Sequence, residues 1–437
     1  MEVSRGSGRG WRLALVALAA SSIVLTVAAC VLFAGWMVSP VESLSGPFGT
    51  LAPPRFGAPF GPARYQLVAT GVAPVLVGGA ALVADGGGVR AIGLRSRRTY
   101  WRLDRPGHVT AQSIWQIDDE YAAVLWSDRR LTVINVASGR HWDLDVADHE
   151  VTAPDVPTYA SDGLAVYGLA PSEGGSALVV VVQPREVDAY DAASGGMTWS
   201  YALARDQAIL DPTSAGLPYS AQPGVSTVLL NVSTDLVGSY RETHAVVLNA
   251  LGRVTLWLSS PNPAIELGGD RIGLAGSNAL QVFDGVSGIP LYDLDVTDPP
   301  YATGDGSVLL AQNVARGTVS AYRAADGRTL WSDAFSGTGP QHTPGNGVSV
   351  LGLAVYAGRA RVLQEYRSEY ESCGPNFRLL TVSDSGAVVG IRPLSMFSCG
   401  ASKIYPSLVS GGAGVVVLKD NSSILADEQD RYAIEIG

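Results

Sequence analysis

Lysine is almost missing from these 437 residues: Lys403 and Lys419 are the only two. Arginine carries nearly all the positive charge, and 40 acidic residues against 30 basic ones leave a net charge of −10. So little basic surface excludes a partner that must be gripped along a phosphate backbone, and nucleic acid is not expected. Cysteine is scarce as well, at Cys30, Cys373 and Cys399, with no CxxC and no adjacent pair. Zinc-ribbon and thioredoxin-type chemistry are excluded on that ground. The five histidines, His108, His141, His149, His244 and His342, form no HxH or HExxH spacing. Neither GxSxG nor a P-loop occurs, so neither a nucleophile elbow nor a phosphate cradle is expected. Gly86-Gly87-Gly88 precedes a strand-like run, which makes it a turn. Asp118-Asp119-Glu120 is the densest acidic run, but successive strand residues point to opposite faces and no calcium-loop spacing follows. No catalytic residue, cofactor or metal ligand is therefore assigned.

What the chain has instead is a short pattern repeated about seven times between Val89 and Pro393. Its cleanest copy is Val187–Trp199: alternating apolar residues lead to Asp191, then a Ser-Gly turn at Gly195, then Trp199. The frame returns at Leu280–Tyr292 with Asp284, Gly288 and Tyr292, and at Val319–Trp331 with Asp326, Gly327 and Trp331. A looser copy at Leu131–Trp142 has Asn135, Gly139 and Trp142. Weaker ones are Val89–Trp101, Ala245–Trp257 and Leu379–Gly390, the last with Gly390 where the aromatic belongs. Period-two alternation, a turn signal and a second strand opening on an aromatic describe a β-hairpin. The glycines supply the positive φ of a tight turn, and the carboxylates accept its amide hydrogens. From Arg97 through Gly139, Gly195, Gly252, Gly288, Gly327 and Gly386 the turns are 42, 56, 57, 36, 39 and 59 residues apart. Propeller sheets commonly take about 40–50 residues each. Small sheets that cannot cover their own faces must stack around an axis, so the fold class is all-β, a seven- or eight-bladed β-propeller. An eighth sheet would come from the two chain ends, with Val415–Leu418 and Leu76–Leu82 expected to close the ring.

The pattern Φ-x-Φ-Φ-Asp-x-x-Ser-Gly-x-x-x-Trp resembles the tryptophan-docking repeat of PQQ-like, quinoprotein-dehydrogenase-type β-propellers, from about Tyr65 to the C-terminus. The resemblance is most specific at Val187–Trp199 and Val319–Trp331. It implies that Trp199, Trp331, Tyr292 and Trp142 wedge each sheet against the next. Redox members of that family hold PQQ against a disulfide between adjacent cysteines, above a calcium ion. This chain has no such cysteine pair, so the resemblance implies a retained scaffold without its cofactor.

Leu13–Val38 is a run of 26 residues without a charge. As a helix it would be about 39 Å long, more than the roughly 30 Å of hydrocarbon to be crossed. Arg5, Arg9 and Arg12 precede it, while only Glu42 and Arg55 follow closely, which places the N-terminus in the cytoplasm and the rest outside. Val27-Ala28-Ala29-Cys30 also resembles a lipoprotein cleavage site, but Val31–Val38 continues apolar and favours an uncleaved single-pass anchor. The organisation expected is a cytoplasmic 1–12, a transmembrane 13–38, a Pro/Gly-rich linker 39–63 and an extracytoplasmic propeller 64–437. Six prolines and four glycines in Ser39–Ala63 describe a semi-extended spacer, with Phe48, Phe56 and Phe60 unusual in it.

In an oxidising compartment Cys373 and Cys399 are expected to form a disulfide, bracketing the copy that lost its aromatic. Long polar insertions at Asp206–Pro223, Ser336–Gly347 and Glu365–Asn376 supply the candidate binding surface, with Glu365, Tyr366, Glu369 and Tyr370 as the candidate binding loop. The functional expectation is a membrane-anchored binding scaffold in a bacterial cell envelope, its partner an envelope protein or glycan. The alternative is a degenerate quinoprotein oxidoreductase or an envelope-glycan hydrolase.

Overall fold

The computed structural model describes residues 43–45, 65–94, 96–146, 164–170, 176–204, 206–209, 225–234, 242–260, 262, 264–276, 279–295, 302–304, 306–313, 318–333, 349–356, 359–366, 376–393, 406–412, 415–420 and 431–436. The proposed anchor at 13–38, most of the linker, Glu369, Tyr370, Cys373 and Cys399 lie outside them. No helix among the described residues is long and apolar enough to cross a membrane.

Every described element is a strand, and the strands form eight antiparallel sheets, each a simple meander. Sheet I contains Val75–Val77, Ala80–Asp85, Gly88–Gly93 and Thr99–Asp104; sheet II contains Ala111–Gln116, Tyr121–Trp126, Arg130–Asn135 and His141–Asp145. Sheet III follows with Ala165–Leu169, Leu178–Val182, Glu186–Asp191 and Met197–Ala202, and sheet IV with Gln207–Ile209, Thr227–Thr234, Glu242–Asn249 and Val254–Ser259. Sheet V is Ile265–Gly268, Arg271–Ala275, Leu280–Asp284 and Pro290–Leu294; sheet VI is Ala302–Gly304, Val308–Asn313, Thr318–Arg323 and Thr329–Asp333. Sheet VII is Ser349–Tyr356, Arg359–Tyr366, Asn376–Val382 and Val388–Pro393. Sheet VIII joins both ends of the chain: Pro406–Gly412, Val415–Asp420 and Arg431–Ile436, with Tyr65–Thr70 as its outer strand.

Each sheet is apolar on both faces and packs on its successor. Val180, Val187 and Ala189 of sheet III, for example, meet Leu230, Val246 and Leu248 of sheet IV. Similar clusters lie between II and III, IV and V, V and VI, and VI and VII. First strands touch their neighbours around the centre, and Tyr65–Thr70 of sheet VIII lies against Ala80–Asp85 of sheet I. The stack closes on itself, and the fold is an all-β propeller.

Two expectations are corrected here. Leu76–Leu82 belongs to sheet I, and the strand that closes the ring is Tyr65–Thr70, paired with Arg431–Ile436. The linker is not wholly a spacer either. Ser43–Ser45 runs antiparallel to Thr99–Asp104 as a fifth, outermost strand of sheet I, and Leu44 packs on the cluster around Leu82, Trp101 and Leu103.

Because neighbouring strands alternate in direction, the ring has two unlike ends. At one end lie the connections from first to second and from third to fourth strands. Most are tight, such as Gly78-Gly79 and Ala192–Gly196. At the other lie the second-to-third connections and the links between sheets, several of them long: 146–164, 334–348, 367–375, 394–405 and 421–430.

Candidate functional site

The residues singled out by the repeat form a belt at the tight-turn end. The Asp191 carboxylate accepts hydrogen bonds from the Ala193 amide at 3.1 Å and the Ser194 amide and hydroxyl at 2.7 Å each. Asp284 does the same for the Ser287 amide at 2.8 Å and hydroxyl at 2.9 Å. Burial works against ionisation of Asp284, but the Ser287 amide and hydroxyl and the nearby Arg271 outweigh it and hold the carboxyl below its ordinary range. Gly139, Gly195, Gly288 and Gly327 all have φ between +68° and +72°.

The aromatics then reach across to the next sheet. Trp101 Nε1 donates to the Val136 carbonyl at 2.7 Å, Trp142 Nε1 to Ala192 at 2.9 Å, and Trp199 Nε1 to Ala250 at 2.9 Å. Tyr292 uses its hydroxyl in the same way, donating to the Ala324 carbonyl at 2.6 Å. Burial, ahead of all other influences, pushes the Tyr292 phenol up to about 12. Every accepting carbonyl lies one residue past the end of the next sheet's third strand. The rings also rest on the next turn's glycine: a Cβ on Gly195, Gly252 or Gly327 would stand 2.8, 2.7 or 2.5 Å from Trp142, Trp199 or Tyr292 respectively. Trp331 is buried, and a Cβ on Gly386 would meet its own Cβ at 2.8 Å.

The four-residue step from glycine to aromatic has a structural cause. In sheets I and III to VII the third–fourth strand pairing slips by one residue just before the turn, a β-bulge, as between Ala189 and Tyr190. Sheet II has an unbroken register, and its step from Gly139 to Trp142 is three. Thus the looser copy lacks only the bulged residue.

Sheet IV departs from the expectation. Leu256, not Trp257, pairs with Val247, the position that Trp199 occupies opposite Ala189 in sheet III. A one-residue offset turns a strand residue to the other face, so Leu256 is buried while Trp257 is 39% exposed. The reach to sheet V is made by Thr255, whose hydroxyl donates to the Gly285 carbonyl at 2.5 Å. In sheet VI the third strand ends on Arg323, so Asp326 is a turn residue and not the counterpart of Asp191. Arg323 pairs with Asp326 across that turn.

The tight-turn end is thus committed to packing, and the unassigned polar chemistry lies at the loop-bearing end. Two clusters stand out there. Arg105, which follows the last strand of sheet I, is buried. It lies 2.6 Å from the Asp143 carboxylate, 2.7 Å from Thr132 Oγ1 and 3.4 Å from Asp128, with its guanidinium 5.1 Å from the Trp126 ring centroid. Thr132 in turn donates to Asp143 at 2.6 Å and accepts from Trp126 Nε1 at 2.8 Å. With so many mutual bonds, this cluster clamps sheets I and II together.

The second cluster brings Glu242, His244, Thr234 and Ser259 together on one face of sheet IV, where sequence spacing alone gave no signal. Alternation in Glu242–Asn249 puts Glu242 and His244 on one side, and pairing sets Thr234 beside Glu242 and Ser259 beside His244. Ser259 Oγ donates to Glu242 at 2.8 Å and lies 3.2 Å from His244 Nδ1, while His244 Nε2 is 3.1 Å from Thr234 Oγ1. A nucleophilic triad needs the imidazole between hydroxyl and carboxylate. Here the hydroxyl stands between the other two, so Ser259 is not activated.

Of the candidate binding loop, Glu365 and Tyr366 end the second strand of sheet VII, opposite Phe377 and Asn376. That connection and Ser336–Gly347 belong to the loop-bearing end. Asp206–Pro223 does not: it links the first and second strands of sheet IV and so leaves from the tight-turn end. Asp118 of the acidic run is a turn cap, its carboxylate accepting from the amides of Glu120 at 2.7 Å and Tyr121 at 2.6 Å. Among the described residues no group of three or more histidine, cysteine or acidic side chains is placed to hold a metal ion.

No protein-family model matches the chain, and no curated protein matches it in sequence. Among solved structures it is similar to BamB from Moraxella catarrhalis, at 13% identity over 86% of this chain and 99% of that one, with a TM-score of 0.46. It is also similar to the dihydro-heme d1 dehydrogenase NirN in complex with DHE, at 14% identity, 80% and 78% coverage and a TM-score of 0.47. The WD40 repeats of RRP9 match at 11% identity over 87% of this chain and 100% of that one, with a TM-score of 0.39. Identities and superpositions at this level allow no residue of these proteins to be mapped onto this chain.

Proposed function

We propose that this chain is a membrane-anchored, extracytoplasmic, eight-bladed propeller that serves as a protein-binding scaffold of a bacterial envelope. The observation that carries the reading is the unlikeness of the ring's two ends. At the tight-turn end, side chains are spent on joining one sheet to the next. At the other, long connections leave from rigid strand ends, the arrangement in which scaffolds commonly present binding loops. The anchor rests on the uncharged run 13–38 and the arginines before it. The paired cysteines would join two connections of that same end, 367–375 and 394–405. Neither polar cluster has the geometry of a catalytic centre, which favours binding over turnover.

A blocking experiment separates the two ends. His108→Cys and Ala193→Cys place a thiol on exposed residues at the loop-bearing and tight-turn ends respectively, where a bulky maleimide polymer can be attached. Membranes are then crosslinked and the full chain recovered. Partner proteins recovered with the unmodified chain should be lost when position 108 is blocked and kept when position 193 is blocked. The reverse pattern, or no partner in any sample, would overturn the reading. The oxidoreductase alternative predicts saturable binding of PQQ with Ca²⁺, followed by absorbance.

A further inference from the structure

The outer edge of sheet IV is unlike the other outer edges. A fourth strand presents one row of backbone amides and carbonyls to no neighbour, and proteins guard such rows with charge, proline or cover. Sheet I covers its edge with Ser43–Ser45. His141–Asp145 of sheet II carries two aspartates, Pro290–Leu294 of sheet V a proline and an aspartate, Thr329–Asp333 of sheet VI an aspartate, and Val388–Pro393 of sheet VII an arginine and a proline. Val254–Ser259 has none of these, and among the described residues no strand pairs with its outer side. Met197–Ala202 of sheet III is also uncharged, but its Trp199 is turned inward on Ala250. On sheet IV the side chains are turned out instead: Leu251 is 61% exposed, Val254 41% and Trp257 39%.

The chain's own segment 46–64 cannot reach this edge. It is held at one end by Ser43–Ser45 on sheet I and at the other by Tyr65–Thr70 on sheet VIII. Those sheets adjoin each other, and sheet IV lies across the ring from them.

We propose that this edge pairs with the same edge of a second copy, antiparallel about a two-fold axis through Trp257, to make a continuous eight-stranded sheet. The occupant follows from complementarity. Strand residues pair only with residues on the same face, so a two-fold normal to the sheet sets Trp257 opposite Trp257, with Leu256 and Leu258 exchanging across it. At the flanks, exposed Arg253 of one copy comes to the Ser259 end of the other. There Glu242 is held by the Ser259 hydroxyl at 2.8 Å and is itself 63% exposed. Opposite charges therefore meet twice, at the two ends of an uncharged seam, although each copy carries a net charge of −10. This surface is separate from the loop-bearing end and does not depend on what that end binds.

The test uses the full chain in detergent micelles. Sedimentation with the detergent contribution subtracted should give a protein mass of two chains, and Trp257→Lys or Val254→Lys should give one. Both changes are at exposed positions, so the melting profile of the monomeric variant should match the parent. Met197→Lys, on the edge of sheet III, should leave two chains. Directly opposed strand residues lie about 4.5–5.5 Å apart, within disulfide range. Trp257→Cys should therefore give a reducible crosslinked dimer under oxidation, and Met197→Cys should not. A single-chain mass for the parent at every concentration overturns the proposal. So does a two-chain mass that survives Trp257→Lys, which would place the contact elsewhere, including the anchor helix.

Discussion

Gly252 and Trp199 allow the belt to be tested as a coupled pair. Gly252 has φ of +71°, and a methyl group on it would stand 2.7 Å from Trp199 Cδ2 and 2.9 Å from Cε3. Gly252→Ala therefore has two costs. The left-handed backbone costs an alanine about 1–2 kcal/mol whatever surrounds it. Displacing the indole, which is held by its bond to the Ala250 carbonyl at 2.9 Å, costs roughly 1–3 kcal/mol more. Trp199→Ala alone should cost about 3 kcal/mol, the low end for a large aromatic, because the ring is only half-buried. In that background the methyl group meets no ring and Gly252→Ala should cost only its backbone share. The cycle should thus show a coupling of about 1–3 kcal/mol between the two sites. Urea unfolding of the full chain, followed by circular dichroism so that tryptophan loss does not disturb the signal, measures all four corners. Equal costs of Gly252→Ala in both backgrounds would refute the contact and, with it, the docking role of this aromatic.

Trp142→Phe keeps the ring but withdraws the proton from the Ala192 carbonyl, and should cost about 1–2 kcal/mol in the same unfolding assay. Trp257→Ala, on an exposed side chain in the adjacent sheet, should cost under about 1 kcal/mol. Glu266 is half-buried as a residue, yet its carboxyl is enclosed, and burial followed by nearby Asp270 raises its pKa from 4.5 to about 7. The folded chain then keeps a proton that the unfolded chain releases, so this stabilising contribution is complete below pH 4.5 and is lost as pH rises to about 7. Glu266→Gln should flatten that part of the stability–pH curve, and an unchanged slope would refute the assignment. Protease added to spheroplasts should digest the region after Val38 and spare the first dozen residues. Cys30→Ser should leave the protein membrane-bound at its unlipidated mass.

Much of the ring could be read in the sequence because each turn leaves a local mark. Asp191, Gly195 and Trp199 lie within nine residues, and each serves a need that a short window reveals. What escaped reading depended on register or on distance. Trp257 looked like a docking residue because its distance from Gly252 differs by one from the ideal, and one residue is enough to change faces. Arg323 was hidden because an arginine at the end of a third strand resembles no carboxylate, although Asp326 pairs with it. Ser43–Ser45 and Tyr65–Thr70 sit within or beside proline-rich sequence, and their partners begin at Thr99 and Arg431. No local window reports such pairings. The cluster of Glu242, His244, Thr234 and Ser259 is likewise assembled across three strands.

Sheet VIII has a consequence for how the protein is made. Seven sheets are built from contiguous chain and can pair as they emerge, but the strand ending at Thr70 has no partner until Arg431–Ile436 arrives. Until then the growing molecule is an open arc with an uncovered apolar face at each end. Joining distant parts of a chain is slow and leaves such surfaces open to aggregation. The last few residues synthesised therefore act as the latch of the whole domain. A chain cut short before Arg431 would keep nearly all its sheets and still remain open, a ready substrate for envelope proteases.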